Sequence, residues 1–279
     1  MVQLTEKSNP GQEPNLKVVE TAAEIDSLWD CTAHGYNRRA FMLEAFGLSD
    51  PGCVRTNNED YFINDPEKGI FILADGMGGA NAGEYASHLS AEVLYEFLLR
   101  APQADGIDTL EQAFLEANWF VRQAAKNNPE LEGMGTTLLA ARDLGAHKLQ
   151  VASVGDSRAY LLSKDGLSLI TQDQTWVAEV GARLGLSEEA LKKHPMRHVL
   201  TMAVGTADEL RIQSQVLQMD VGDQVLLCTD GLHGVLGENL LLETLDSEKS
   251  LPEKCHYLID AAKQQGGPDN VTVVLIQLT

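Results

Sequence analysis

The chain has 279 residues, of which 44% are apolar, so it is long enough for one large domain with a full core, and length alone would also permit two. Its 41 acidic and 21 basic residues give a formal charge of -20, which opposes nucleic acid and anionic membranes as partners. No apolar run approaches the ~18 residues of a membrane span, and the N-terminus lacks the pattern of a secretion signal. We therefore expect a soluble protein.

The four cysteines share no C-x-x-C spacing, which predicts reduced thiols and a cytoplasmic location. Cys31 and His34 have the spacing of half a zinc clip, but the chain has no second Cys/His pair of suitable spacing.

Residues 1–39 are predicted to be an extension that precedes the main domain. Met1 to about Leu16 are mostly polar and cannot bury enough surface to order themselves. Thr21 and Glu24 have the spacing of a capping box, which predicts a short helix after this tail. The main domain is predicted to span residues 40–279, with a small lid, or flap, inserted at about 172–200 beside the site.

Within the main domain, apolar residues spaced at three and four predict helices around Ala86–Phe97, Leu110–Ala124 and Leu251–Lys263. Strands are predicted at Thr136–Ala141, Leu149–Val154, Ser157–Leu162, Leu210–Leu217, Val225–Thr229 and Val271–Leu278. The alternation of Leu149 and Val151 with polar residues is typical of a half-solvated strand. Consecutive strands joined by short turns favour an antiparallel α+β layout with helices packed outside.

Carboxylates recur where apolar runs end. Asp75-Gly76 and Asp230-Gly231 each close such a run, and further acids stand in Asn57-Asn58-Glu59-Asp60, Gly155-Asp156 and Pro268-Asp269-Asn270. Because glycine lets the backbone approach closely and oxygen ligands select hard cations, this pattern indicates a Mg²⁺ or Mn²⁺ site.

Arg55 precedes the Glu59-Asp60 pair by four residues. A guanidinium can hold a tetrahedral oxyanion with two hydrogen bonds, beside carboxylates that hold a cation. Taken alone, the same spacing also fits an ordinary surface ion pair. The glycines after Asp75 match neither a P-loop nor the G-x-G-x-x-G spacing, so they do not indicate a nucleotide site.

Together these blocks resemble the metal-dependent protein phosphatases, the PPM or type 2C family. The resemblance continues, in family order, through Gly133-Met134-Gly135-Thr136-Thr137, Val154-Gly155-Asp156-Ser157-Arg158, His194-Pro195, Leu200-Thr201, Gly222-Asp223, Cys228-Thr229-Asp230-Gly231 and Gly267-Pro268-Asp269-Asn270. It covers about Phe41 to Leu278.

The resemblance implies a four-layer αββα sandwich, in which two antiparallel sheets are flanked by helix pairs and a two-metal centre lies at one end. The metal ligands would be Asp75, the carbonyl of Gly76, Asp230 and Asp269, with Glu59 as a further ligand, either directly or through water. Asp156 matches a position that holds a third, weaker metal in many bacterial members, although an aspartate there also fits a turn-forming residue. Catalytic roles would fall to Arg55, which would hold the phosphoryl oxygens, and to Asp60 and Asn270, which would orient bound waters.

The implied activity is hydrolysis of phosphoserine and phosphothreonine on other proteins, opposing a serine/threonine kinase, in a monomeric cytoplasmic enzyme. Two Mn²⁺ or Mg²⁺ ions would lower the pKa of a shared water, and the resulting hydroxide would attack phosphorus directly. The cysteine-phosphate and aspartyl-phosphate mechanisms fail on spacing.

The chain departs from the family pattern at Met77, where some members have a histidine proposed to protonate the leaving alcohol. It departs again at Gln174 and Met202, in or beside the flap. His233 follows Asp230 closely enough to reach the site. The alternative function is a phosphatase-like binding or sensing protein with weak catalysis, although retained carboxylate ligands argue against it.

Overall fold

The structure is a computed structural model that describes residues 42–101, 108–181, 183–185, 187, 190–191 and 194–279. Residues 41–279 form one compact unit. The predictions for residues 1–39, including the helix after Thr21 and the Cys31–His34 pair, lie outside the described residues.

Two antiparallel sheets form the centre of the described chain. The first sheet contains, in spatial order, β1 (Leu43–Asp50), β11 (Val271–Leu278), β10 (Gln224–Cys228), β7 (Arg158–Ser163) and β8 (Gly166–Leu169). The second contains β2 (Asp60–Asp65), β3 (Ile70–Met77), β5 (Leu138–Gly145), β6 (Lys148–Val154) and β9 (Gln213–Gln218), with the short β4 (Gly135–Thr136) beside β3. The predicted antiparallel arrangement is confirmed.

Helices cover both outer faces of this pair of sheets. The second sheet is covered by α1 (Ala80–Arg100) and α2 (Asp108–Asn127), and the first by α3 (Asp230–His233), α4 (Glu238–Leu245) and α5 (Leu251–Gln264). Successive side chains of a strand point to opposite faces, so Ile72 packs against the helices while Phe71 and Leu73 fill the space between the sheets. Three apolar cores therefore separate four layers, and the predicted αββα sandwich is confirmed.

The helix ends follow local sequence signals. Ser250 and Glu253 form a capping box at the start of α5, with Pro252 in its first turn. The short helix α4 was not among the predicted elements, because three of its four leucines are consecutive and its eight residues are too few for a clear periodicity.

The prediction of a half-solvated strand at Leu149–Val154 is wrong. Gln150 is fully buried, and its Nε2 donates a hydrogen bond to Ser214 Oγ at 3.1 Å. The strand β6 lies between β5 and β9 and has a layer on each face, so a polar residue there finds a partner inside the fold.

The chain around the predicted flap leaves the sheets after β8 and returns to them before β9. Thr175 and Leu200 form an isolated β-bridge, and Trp176 N–H donates to Val199 O at 2.8 Å. The ring of Trp176 stacks on that of His194, with centroids 4.6 Å apart. In the described part of the chain, no helix combines the length and apolar character needed to cross a bilayer.

Candidate metal centre

The second sheet contributes acidic residues where β2 begins and β3 ends. Asp60 lies directly opposite Asp75 in the β2–β3 pair, with Glu59 and Gly76 next to them. The amide of Gly76 donates to the carbonyl of Glu59 at 3.1 Å. A Cβ at Gly76 would lie only 2.7 Å from that carbonyl oxygen, so a side chain would push the two segments apart. The same Cβ would lie even closer to the carbonyl oxygen of Gly83 on α1, so glycine is required at position 76 where these backbone segments meet.

The first sheet contributes Asp230 and Asp269 from neighbouring strands. Asp230 follows the end of β10, and Asp269 and Asn270 precede the start of β11. Because β10 and β11 are antiparallel neighbours, these two ends meet, and Thr229 N–H donates to Thr272 O at 3.1 Å. Asp230 and Asp269, which are 39 residues apart in the chain, are therefore brought to the same edge of this sheet.

Asn270 joins this edge to the loop before β2. Its Nδ2 donates to Asn57 O at 2.9 Å and to Pro51 O at 3.1 Å, and its Oδ1 accepts from Glu59 N–H at 2.9 Å. Both ends of the amide are thus engaged by backbone groups. In this structure Asn270 holds the Glu59 segment in place, and its predicted contact with waters stays a prediction.

The electrostatics show a concentration of negative charge. Burial, followed by repulsion from Asp60 and Asp230, raises the pKa of Asp75 well above its usual value. Burial is also the largest cause of the raised pKa of Asp60, which reaches about 7. Burial raises the pKa of Asp230 as well, and repulsion from Asp269 raises it further. Such a group of partly buried carboxylates is the donor set that hard divalent cations prefer, and bound cations would remove the repulsion.

Asp60 receives hydrogen bonds from the opposite sheet. Its Oδ2 accepts from Thr229 Oγ1 at 3.0 Å and from Thr272 Oγ1 at 2.7 Å. Its Oδ1 is buried and has no hydrogen-bond partner among the described residues. One face of this carboxylate is thus held by the protein, and the other is left for a bound group.

Hydroxyl groups also hold Asp75. Its amide donates to Thr137 Oγ1 at 3.0 Å, and Thr136 Oγ1 donates to its carbonyl at 2.8 Å. Thr137 Oγ1 in turn lies 2.7 Å from Ser157 Oγ. The predicted site did not include these residues or Thr229 and Thr272. Their sequence signal is their position within or next to the acidic motifs.

Arg55 lies at the rim of this group of acids. Its Nη2 donates to Asp269 Oδ2 at 2.8 Å, and the side chain is half exposed. Arg55 and one predicted metal ligand therefore contact each other directly. The structure shows an ion pair of Arg55, but with Asp269 and not with Glu59, and the role of Arg55 as an oxyanion clamp stays a prediction.

Asp156 is buried at the turn between β6 and β7. Burial, repulsion from Asp230 and repulsion from Asp173 raise its pKa to about 8. His233 Nε2 donates to the carbonyl of Asp156 at 3.0 Å. Gly155 has a φ of +105°, which glycine adopts readily, and its amide donates to Gln174 Oε1 at 2.8 Å. The turn is thus fixed both from α3 and from Gln174, at the start of the predicted flap.

Within the described residues, no three His, Cys, Asp or Glu side chains already form a cage around one point. Asp269 pairs with Arg55, and the Oδ2 of Asp60 is bonded to two threonine hydroxyls. His198 Nδ1, from the segment before β9, stands 3.8 Å from Asp230 Oδ2. The remaining carboxylate oxygens fit hard cations by their chemistry.

A four-layer sandwich with acids from both sheets at one end and an arginine at the rim is the architecture expected of a metal-dependent phosphatase. Comparison with known proteins supports this class. The sequence model described as Protein phosphatase 2C matches residues 54–275. The chain therefore belongs to the protein phosphatase 2C family, which confirms the resemblance, and it is a serine/threonine protein phosphatase of the metal-dependent class.

The chain is 35% identical over 236 residues to the serine/threonine phosphatase stp of Listeria innocua, covering 82% of this chain and 93% of that protein. It is 37% identical over 238 residues to the serine/threonine protein phosphatase PstP of Mycobacterium tuberculosis, covering 85% of this chain and 45% of PstP. A structure of the PstP catalytic domain in complex with two manganese ions superposes with a TM-score of 0.77 at 35% identity, covering 86% of this chain and 99% of that one.

Proposed function

We propose that this phosphatase removes phosphate from phosphoserine and phosphothreonine side chains of other proteins in one step, by transfer to water, at the acidic end of the sandwich. The observation that carries the proposal is the meeting of Asp60 and Asp75 from one sheet with Asp230 from the other, where burial first, and then repulsion among the neighbouring acids, raises their pKa values. Carboxylates whose pKa values are shifted in this way cluster at functional sites.

Asp75, Asp230, Asp269, Glu59 and the carbonyl of Gly76 would hold two Mn²⁺ or Mg²⁺ ions, and Asp156 would hold a third. When bound, such ions lower the pKa of a coordinated water and so supply a nucleophile near neutral pH. The protein's own contribution is to fix the donors. Thr136 and Thr137 hold the backbone of Asp75, and Asn270 holds that of Glu59.

Arg55 would bind the phosphoryl oxygens. Its guanidinium is half exposed at the rim and is already oriented by Asp269, so it can exchange part of that contact for an incoming dianion. Two parallel hydrogen bonds from one planar group would orient the phosphorus toward the acids and offset charge that develops during the reaction.

A covalent phosphocysteine is disfavoured by the two buried thiols. Burial raises the pKa of Cys228 and of Cys255 to about 12, so neither forms a thiolate near neutral pH. His233 is not suited to protonate the leaving alcohol, because burial and the charge of Arg158 lower its pKa to about 4 and its Nε2–H is used by Asp156. The sequence spacing also argues against cysteine-phosphate and aspartyl-phosphate intermediates, so these observations support direct transfer of the phosphoryl group to water.

The physiological setting follows from charge and class. A chain with a formal charge of -20 is suited to neither nucleic acid nor an anionic membrane surface. We infer a monomeric cytoplasmic enzyme that opposes a serine/threonine kinase.

Hydrolysis of para-nitrophenyl phosphate and of a phosphothreonine peptide, each with Mn²⁺ and with EDTA, tests the proposal. We expect the native protein to hydrolyse both substrates with Mn²⁺ but not with EDTA. Asp75→Asn and Asp230→Asn should lose this activity. Glu243→Gln, an exposed acid on α4, is the matched control and should keep full activity. Binding of the phosphopeptide without Mn²⁺-dependent turnover would instead support the sensing protein.

A further inference from the structure

Asp60 closes a ring of hydrogen bonds that reaches both sheets. Its amide donates to Asn58 Oδ1 at 3.2 Å, and Asn58 Nδ2 donates to Ser49 Oγ at 2.7 Å. Ser49 Oγ lies 2.7 Å from Thr272 Oγ1, which donates to Asp60 Oδ2 at 2.7 Å. The ring thus begins and ends at the same residue and passes through β1 and β11.

The direction of every bond in the ring can be worked out. Thr272 Oγ1 donates to Asp60 Oδ2, so the Thr272 hydroxyl hydrogen is committed to Asp60. The Ser49 hydroxyl must then donate to Thr272, and it is free to do so because it accepts from the Asn58 amide. The donors therefore follow one another in a single sense round the ring, from the Asp60 amide to the Asp60 carboxylate, an arrangement in which each bond polarises the next.

A second hydroxyl reaches the same oxygen. Thr229 Oγ1 donates to Asp60 Oδ2 while accepting from Thr272 N–H at 3.0 Å, so its orientation is also determined. Thr229 and Thr272 are both fully buried. Two hydroxyls on Oδ2 hold the carboxylate in one rotamer and leave the buried Oδ1 as the acceptor for a group that enters the site.

We propose that Ser49, Thr272 and Thr229 form a hydroxyl clamp that positions Asp60 for the reaction, so that one sheet of the sandwich sets the geometry of a carboxylate on the other. The inference deepens the proposed function and rests on it. These three are positioning residues, because they act through Asp60 and touch neither substrate nor metal. The clamp also explains why position 272 is a threonine, although the residues on either side of it in β11 are apolar valines.

A double-mutant cycle tests the clamp with Thr272→Val, which keeps the shape and removes the hydroxyl, Asp60→Asn, and the pair together. Two quantities are measured: kcat and KM for para-nitrophenyl phosphate with Mn²⁺, and the Mn²⁺ dissociation constant by calorimetry. Removing a group that orients a metal site typically lowers affinity or activity by about 10–100-fold. We expect Thr272→Val to lower kcat about tenfold with KM nearly unchanged, and to weaken Mn²⁺ binding.

In the Asp60→Asn background, Thr272→Val should add no further loss of kcat or of Mn²⁺ affinity, because the clamp has nothing left to position. Thr272→Ser keeps the hydroxyl and should restore both quantities to within about twofold of the native protein. Ser49→Ala, at a partly exposed position, leaves the Thr272 hydrogen in place and should cause a smaller loss of kcat than Thr272→Val. It also keeps the test open if Thr272→Val fails to fold.

Thr244→Val is the matched control, since Thr244 is equally buried and its hydroxyl donates to a backbone carbonyl on α4, away from the site. Additive losses in the cycle, native behaviour of Thr272→Val, or equal damage from Thr272→Ser and Thr272→Val would each overturn the clamp. If the native protein shows no Mn²⁺-dependent turnover, the proposed function is overturned instead. The double-mutant cycle measured by Mn²⁺ dissociation constants would then still test the clamp.

Discussion

Asp60 on β2 and Asp75 on β3 stand directly opposite each other in an antiparallel pair, at the end of the sheet where Asp230 arrives from the other layer. Like charges placed opposite each other destabilise a sheet, and here burial strengthens the effect. The pair therefore lowers the stability of the metal-free fold.

The first prediction concerns this opposition. Asp75→Asn removes one of the repelling charges, so in EDTA the variant should be more stable than the native protein, although it loses Mn²⁺-dependent activity. For a domain of this size, about 1 kcal/mol corresponds to a rise of roughly 2–4 °C in melting temperature, which thermal unfolding resolves.

With saturating Mn²⁺ the order should reverse, because binding stabilises the native protein and not the variant. Glu243→Gln should melt like the native protein under both conditions. If Asp75→Asn melts at a lower temperature than the native protein in EDTA, the Asp75 carboxylate contributes to folding. Its position opposite Asp60 would then not destabilise the metal-free protein.

The second prediction concerns Arg55. Arg55→Lys keeps the positive charge but loses the planar fork, so we expect kcat/KM for phosphate monoesters to fall by about 10–100-fold, as for loss of a bidentate charged contact. Steady-state kinetics measure the fall. Arg100→Lys, at an exposed position where the salt bridge is long at 3.9 Å, should leave kcat/KM unchanged. If Arg55→Lys keeps the native kcat/KM, Arg55 does not bind the phosphoryl oxygens through its planar fork and acts only as an ion-pair partner of Asp269.

The third prediction separates structure from proton transfer at His233. Its imidazole donates to Asp156 O and is held neutral, since burial lowers its pKa to about 4. His233→Leu leaves that carbonyl without its donor and should lower the free energy of unfolding by about 1–3 kcal/mol, measured by urea titration.

His233→Gln supplies another N–H donor and should keep kcat within a few-fold of the native value. A loss of kcat in His233→Gln that shrinks as the pH rises, in a fully folded protein, would show that His233 donates a proton to the leaving group.

The fourth prediction is a pH dependence outside the site. Asp50 Oδ2 pairs with Lys263 Nζ at 2.8 Å and its Oδ1 accepts from Gly52 N–H at 2.8 Å. Burial opposes ionisation of Asp50, but these two contacts outweigh it and hold its pKa below the usual value. A lowered pKa gives stability that is present above about pH 4 and is lost as the pH falls through the folded pKa.

Asp50→Asn should therefore be less stable than the native protein at pH 7, by about 1 kcal/mol for a partly exposed pair, and the difference should shrink toward pH 3. Urea unfolding across this range measures it, with the exposed Asp165→Asn as control. A difference that is independent of pH would mean that the charge of Asp50 contributes nothing to stability.

Much of the fold could be predicted because its signals are local. The spacing of Leu110, Phe114, Ala117 and Val121 predicted the buried face of α2, and all four are fully buried. The prediction failed for β6, because alternation shows which residues are polar but not whether a face meets solvent. Gln150 lies inside the fold since another layer covers it.

The sequence by itself determined the chemical inventory of the site. Acids beside glycines at strand ends, an arginine ahead of them and their order along the chain were enough to predict the family and the class of metal, because these signals depend only on residue type and short spacing. Only the tertiary structure decided how the inventory is arranged. Asp60 receives its hydroxyl donors from Thr229 and Thr272, which are 169 and 212 residues away. No short-range pattern encodes that contact, because it depends on how two separately formed sheets stack and on the register that brings β10 and β11 together above β2.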